Sequence, residues 1–205
     1  MRLLIASSNR GKLREIQAVL AGLPVELVLP ADLGLALQVD ETGATYAENA
    51  ALKARAYCQA SGLLTLADDS GLEVDALNGA PGLHSARFSP KPGASDADRR
   101  ALLIDTLRPV PVPQGLPGWP AHFHCTVAVT EPTGALHTVE GHCDGFIITE
   151  ERGHNGFGYD PIFYIPAEDA TMAELPDGRK NQISHRARAL QAALPILQSY
   201  CNDVS

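Results

Sequence analysis

The hydrophobic pattern of this chain switches repeatedly between a run or alternation and a helical period, and the switches mark its elements. Arg2 to Ala6 is a short apolar run that predicts a strand. After the small-residue turn Ser7-Ser8-Asn9-Arg10-Gly11, a helix is expected from about Lys12. Leu13, Ile16, Val19, Leu20 and Leu23 recur there at helical spacing, with Gly22 as a stop signal. Val25 to Leu29 predicts a second strand. Thr45 and Glu48 form a capping box ahead of an alanine-rich helix that ends at Gly62. Leu63 to Ala67 is continuous and apolar, the mark of a buried strand, and it stops abruptly at Asp68-Asp69-Ser70-Gly71. Leu72 to Leu77 predicts a strand or hairpin arm, the glycines and proline of NGAPGLHSARFS mark a loop, and Ser95 opens a helix through Leu107. Arg108 to Pro120 is a proline-rich surface loop. Phe123 to Thr130, Leu136 to Glu140 and Phe146 to Thr149 predict an antiparallel set, its first two members joined by the turn EPTG. The last helix starts at the N-cap Ser184, and Pro195 is expected to kink or end it.

Composition narrows the class. The chain has 205 residues, 45% hydrophobic and 20% charged, which suits one domain or one domain with lobes. The formal net charge of -8 argues against a DNA or RNA partner, which calls for a basic face. Four scattered cysteines without a Cys-x-x-Cys suggest neither a disulfide framework nor a zinc site. The N-terminal apolar run is too short for a signal peptide, and no stretch approaches the ~20 apolar residues of a membrane span. The expected location is the cytoplasm.

The candidate chemistry lies where the pattern breaks. Asp68 and Asp69 close an apolar strand, and carboxylates are costly to bury unless paired or bound to a cation. They read as a metal site at the strand's carboxyl end or as a solvated turn. Ser7 to Lys12 has the strand–turn–helix geometry that presents backbone N–H groups to an anion, with Arg10 and Lys12 adding charge. An ordinary β–α turn is the alternative, and the Walker pattern is absent. Asp40 and Glu41 form a second acidic pair. In GHNGFGYDPIFYIP, Phe157 and Tyr159 interleave with glycines, which suits either a flat ring stacked on them or a hairpin with core aromatics. His185 and Arg186 fall in the first turn of the last helix, where the dipole disfavours positive charge unless an anion is bound, and Lys180 lies just upstream. His122-x-His124 puts two imidazoles on one strand face, too few for zinc. Together these form the inventory for a nucleoside triphosphate with Mg2+. Asp69 with Asp40 or Glu41 would hold the metal, and an adjacent carboxylate would take a proton from water.

Five blocks carry a more specific signal: SSNRGKLREI, Glu41 to Ala56, LADDSGLEVDALNGAPGLHSARFS, FGYDPIF and ISHRARAL. In this order they resemble the inosine/xanthosine triphosphate pyrophosphatase family over nearly the whole chain. The resemblance implies one α/β domain over residues 1–205 with two lobes, elongated, built on a long twisted mixed sheet flanked by helices, with the active site in the central cleft. It implies a homodimer that hydrolyses dITP, ITP and XTP to the monophosphate and pyrophosphate with magnesium, clearing deaminated purines from the nucleotide pool. Residue by residue, Asp69 resembles the proton acceptor and a metal ligand, and Asp40 the other ligand. Ser7, Ser8, Asn9, Arg10, Gly11 and Lys12 resemble the phosphate-binding turn, with Asn9 and Lys12 its main side-chain donors, and Ser70 resembles a substrate contact. Phe157, Gly158, Tyr159 and Asp160 resemble the base-holding loop, and Lys180, His185 and Arg186 the remaining substrate contacts, with Arg186 a donor to a 6-oxo group. The chain has Asp40-Glu41 where two glutamates are common, which leaves the choice between Asp40 and Glu41 open. A nucleotide-binding module without catalysis and a pyrophosphatase of modified pyrimidine triphosphates are the competing readings.

Overall fold

The computed structural model describes residues 1–202. In chain order the elements are β1 (Arg2–Ile5), α1 (Arg10–Leu20), β2 (Glu26–Val28), α2 (Tyr46–Ser61), β3 (Leu64–Val74) and β4 (Pro81–Gly82). They continue with α3 (Asp96–Leu107), β5 (Trp119–Thr130), β6 (Leu136–Ile147), β7 (Phe163–Ile165), β8 (Ala170–Thr171), α4 (Asp177–Ile183) and α5 (His185–Asn202). The strands form one open mixed sheet, ordered β2-β1-β3-β5-β6-β7-β8, with β4 paired to β3. β1 runs parallel to β2 and β3, whereas β4 on β3, β7 on β6 and β8 on β7 are antiparallel. The α/β class and the helix-flanked mixed sheet are as the sequence implies. The described residues divide into two compact units, one of residues 1–70, 125–141 and 184–202, the other of 71–124 and 142–183.

The first unit explains why Leu63 to Ala67 is continuously apolar. Successive strand residues point to opposite faces, and here both faces are covered. On one, Leu64 and Leu66 of β3 join Leu3 and Ile5 of β1 against Ile16 and Leu20 of α1 and Leu190 and Leu197 of α5. On the other, Ala67 and Ala6 meet Ala50 and Ala54 of α2, so small side chains let that helix lie close. Each fully buried leucine or isoleucine contributes about 1.5–3 kcal/mol. The capping box is as expected: Thr45 accepts from the Glu48 N–H, and Glu48 reaches back to the Thr45 N–H. Gly62 closes α2 in the left-handed conformation at φ +68°. Gly141 of β6 sits directly against α5, since a Cβ there would lie 2.3 Å from the His185 carbonyl oxygen.

The second unit packs Leu103, Ile104 and Leu107 of α3 with Trp119 and Phe123 of β5, Phe163 of β7 and Met172. The Phe123 and Phe163 rings lie 4.4 Å apart, centroid to centroid. The Trp119 indole N–H donates to the Val110 carbonyl at 3.0 Å, which satisfies its one buried donor. Ser95 caps α3 with Asp98 in a second capping box.

Four expectations need correction. β3 does not stop at the acids but runs through Asp68, Asp69, Ser70 and Gly71 to Val74, so the stretch from Leu72 is the same strand and the carboxylates are mid-strand. Local cations pair with them, Lys12 and Arg186 with Asp68 and Lys53 with Asp69. β6 is one strand over the interval read as two, because its central residues alternate between exposed and buried. β5 already begins at Trp119, inside the stretch Arg108 to Pro120 expected to be a surface loop, because the indole is buried in the second unit's core; α4, short and without an apolar period, gives no signal in the sequence. α5 continues past Pro195. Both Pro195 and Gln191, whose carbonyl loses its N–H donor, are exposed, so the missing bond falls on the exposed side of the helix rather than in the core.

Candidate active site

Alternation along β3 separates the two adjacent carboxylates. Asp68 points with Leu64, Leu66 and Ser70 toward α1 and α5. Asp69 points with Ala67 toward α2. They are not one acidic pair but the centres of two different charge clusters.

Asp68 is buried, at 2% exposure, and its Oδ2 meets Lys12 Nζ at 2.9 Å and Arg186 Nε at 3.0 Å. Arg186 is also buried; its Nη1 donates to Glu15 Oε2 at 2.5 Å and its Nη2 to Ser70 Oγ at 2.9 Å. Two cations thus face two carboxylates. Burial alone would raise the Asp68 carboxyl, but the charges of Lys12, Arg186 and Lys53 outweigh it and hold it well below the usual carboxylate range. Arg186 is held in its charged form more firmly than usual: burial opposes the charge, and Asp68 and Glu15 outweigh burial. Cys125, whose Sγ is 3.9 Å from Asp68 Oδ2, is pushed up to about 12 by burial and by that carboxylate, so it is an inert thiol.

Asp69 is held by α2. Asn49 Nδ2 donates to its Oδ2 at 3.2 Å, and Lys53 Nζ to its Oδ1 at 3.1 Å. Asn49 and Lys53 are four residues apart, hence on one helix face. Asn49 is itself fixed, because its Oδ1 accepts the Gly43 N–H at 2.8 Å. Gly43 is required there, as a Cβ would lie 2.7 Å from that oxygen. Lys53 Nζ also reaches Glu41 Oε1 at 3.1 Å. Burial would lower the Lys53 ammonium, but Asp69, Asp68 and Glu41 raise it above its ordinary value. Of the acid pair before α2, it is Glu41 that this cluster includes; Asp40 is exposed on the loop. Asp69 and Glu41 supply hard carboxylate oxygens of the kind that suit magnesium.

The turn before α1 is built around Asn9, the N-cap, whose Oδ1 accepts the N–H groups of Gly11 and Lys12 at 2.9 and 3.2 Å. Ser7 Oγ accepts the Asn9 N–H at 3.2 Å, and Ser8 and Arg10 are exposed. His185 is buried at the start of α5. Ser184 caps that helix, its Oγ accepting the Ala187 N–H at 3.2 Å.

The glycine-rich loop belongs to the second unit and organises around a buried ion pair, Lys180 Nζ to Asp160 Oδ2 at 2.6 Å. Asp160 Oδ2 also accepts the Phe157 N–H at 2.8 Å, and Lys180 Nζ sits 5.2 Å from the centroid of the half-buried Phe157 ring. Gly156, at φ +77°, has no room for a Cβ, which would lie 2.0 Å from Asp160 Oδ2. The Gly158 N–H donates to Asp96 Oδ2 and its carbonyl accepts from Arg100 Nη1, both at 2.8 Å. Tyr159 is different from Phe157: its ring is buried in the core and its hydroxyl donates to the Ser85 carbonyl at 2.9 Å. Of the two aromatics, Phe157 keeps a partly open ring and Tyr159 anchors the loop.

Asn49, Lys53 and Glu15 escaped the reading of the sequence as members of these clusters. The available signals were Asn49 and Lys53 at helical spacing in an otherwise small-residue helix, and Glu15 one turn after Lys12. Such residues are solvated in most helices.

The chain matches the Ham1 family over residues 3–196. It is 45% identical over 197 residues to a protein of Desulforamulus reducens named dITP/XTP pyrophosphatase, with 96% of each chain covered. It is 48% identical over 188 residues to one of the same name from Geobacillus kaustophilus, covering 92% of this chain and 90% of that one. A solved HAM1 protein from Coxiella burnetii superposes with a TM-score of 0.85 at 39% identity, covering 97% of this chain and 99% of that chain.

Proposed function

The chain belongs to the Ham1 family, and from that premise we propose that it hydrolyses the non-standard purine nucleoside triphosphates dITP, ITP and XTP to the monophosphate and pyrophosphate. The observation that carries this reading is the Asp69 carboxylate, held on one oxygen by Asn49 and on the other by Lys53. A carboxylate oriented in this way is prepared to take a proton, which a pure binder has no need to do.

Water oxygen bonds to the α-phosphorus, the bond to the bridging oxygen breaks, Asp69 receives the proton, and pyrophosphate leaves. Lys53 and Asn49 keep Asp69 aimed through the step. Asp69 with Glu41, or Asp40, is the set that would hold Mg2+, which when bound neutralises the triphosphate and acidifies water. Ser7, Ser8, Asn9, Arg10, Gly11 and Lys12 receive the phosphates, and Ser70 is a further substrate contact. Asp68 keeps Lys12 and Arg186 in place and takes no proton. Phe157 offers a ring face to the base, with Gly158, Tyr159, Asp160 and Lys180 shaping that loop. His185 and Arg186 serve the 6-oxo group. A donor facing position 6 leaves adenine's amino group opposite another donor, which penalises ATP. The working form is a cytoplasmic homodimer.

A panel of nucleoside triphosphates assayed for pyrophosphate with and without magnesium tests the proposal. Release from dITP and XTP well above that from dATP, and only with the metal, is expected. Orthophosphate as the product, or equal turnover of dATP, overturns it.

A further inference from the structure

The open face of the second unit carries an imidazole pair that this reaction does not use. Along β5, His122 and His124 alternate with the buried Ala121 and Phe123 and so share the outward face. Along β6, His142 is exposed beside the buried Cys143. The two strands are neighbours in the sheet, and the rings of His124 and His142 stand 4.0 Å apart, centroid to centroid, tilted by 41°. Their nitrogen ligand atoms lie within 4.8 Å of each other. One metal ion with M–N bonds of about 2.0–2.1 Å spans two such nitrogens after a small ring rotation. On β3, beside β5, the Glu73 carboxylate lies 3.7 Å from His124 Nδ1. A carboxylate behind one ring nitrogen is the usual outer partner of a metal-binding histidine, since it favours the tautomer that aims the other nitrogen at the metal.

Along β5, His122 and His124 stand two residues apart, whereas across to β6 the His142 ring stands directly beside that of His124. We propose that His124 and His142 together bind a divalent transition-metal ion of the zinc class, with Glu73 orienting His124. Imidazole nitrogen selects zinc, nickel or copper, whereas the oxygen donors at Asp69 select magnesium, so donor chemistry keeps the two metals apart.

The test uses the full-length protein stripped of metal by chelator and titrated calorimetrically with Zn2+, alongside His124→Gln/His142→Gln and Glu73→Gln. Cu2+ electron paramagnetic resonance counts the nitrogen ligands, and circular dichroism checks that each variant is folded. One Zn2+ per chain is expected, with two nitrogens coupled to Cu2+. Affinity should fall at least 100-fold in the double histidine variant, and about 10–100-fold in Glu73→Gln with both nitrogens kept. Equal affinities for wild type and the double variant overturn the proposal, as do fewer than two coupled nitrogens or sulfur ligation by the free cysteines. If the double variant does not fold, His142→Gln decides, because His142 is exposed; unchanged affinity and an unchanged nitrogen count there also overturn it.

Discussion

In the proposed reaction, two neighbouring aspartates separate a structural role from a chemical one. Asp69→Asn keeps the size and the Asn49 contact but removes the proton acceptor. Turnover of dITP should fall by about 10²–10⁴-fold or more, while ITP binding measured by calorimetry, with Glu41 still present for the metal, weakens far less. Asp68→Asn removes the carboxylate that answers Lys12 and Arg186 in the interior. Breaking a buried pair from one side costs about 3–5 kcal/mol, readable as a lower unfolding free energy in urea. The pH dependence has a definite sign. The Asp68 carboxyl lies lower in the folded chain than its unfolded value of about 3.9, so its contribution is complete above about pH 4 and is lost as the pH falls below that. Denaturation curves between about pH 2 and 5 should therefore be steeper in acid for wild type than for Asp68→Asn. Lys53 could not be recognised from the sequence, because its role depends on two carboxylates distant along the chain.

Elements were legible where the signal is local. The capping boxes at Thr45 and Ser95 and the closing Gly62 need only a few consecutive residues, so α2 and α3 could be placed closely. β3 could not be bounded, since Asp-Asp-Ser-Gly has the chemistry of a turn and only Lys12, Arg186, Asn49 and Lys53, supplied from three helices, make it habitable as a strand. Pro195 was read by its helix-breaking rule, which exposure relaxes. Its cost remains: Pro195→Ala should raise stability by up to about 3 kcal/mol, seen as a higher urea midpoint. The approach of β6 to α5 admits no side chain at position 141. Gly141→Ala should cost about 1–3 kcal/mol through overpacking, and should shift the thermal midpoint downward without altering ligand-independent secondary structure.

At the scale of the molecule, an acidic chain of net charge -8 has to receive an acidic substrate. Its cations Lys12, Lys53, Lys180 and Arg186 already face carboxylates, so on the proposed reading a metal supplies the balance for a bare triphosphate. ITP affinity measured by calorimetry should therefore collapse when magnesium is removed with chelator, well beyond the change expected from ionic strength alone. No helix among the described residues is long and apolar enough to cross a membrane. Within this molecule, Ala67-Asp68-Asp69-Ser70 behaves as a reading frame rather than a motif. Losing one alanine just before the acids would barely alter mass or charge, yet it would turn each carboxylate to the other's side, giving the arginine a group meant for water and the lysine a group meant for silence. A deletion there is a deeper lesion than almost any exchange of one amino acid for another.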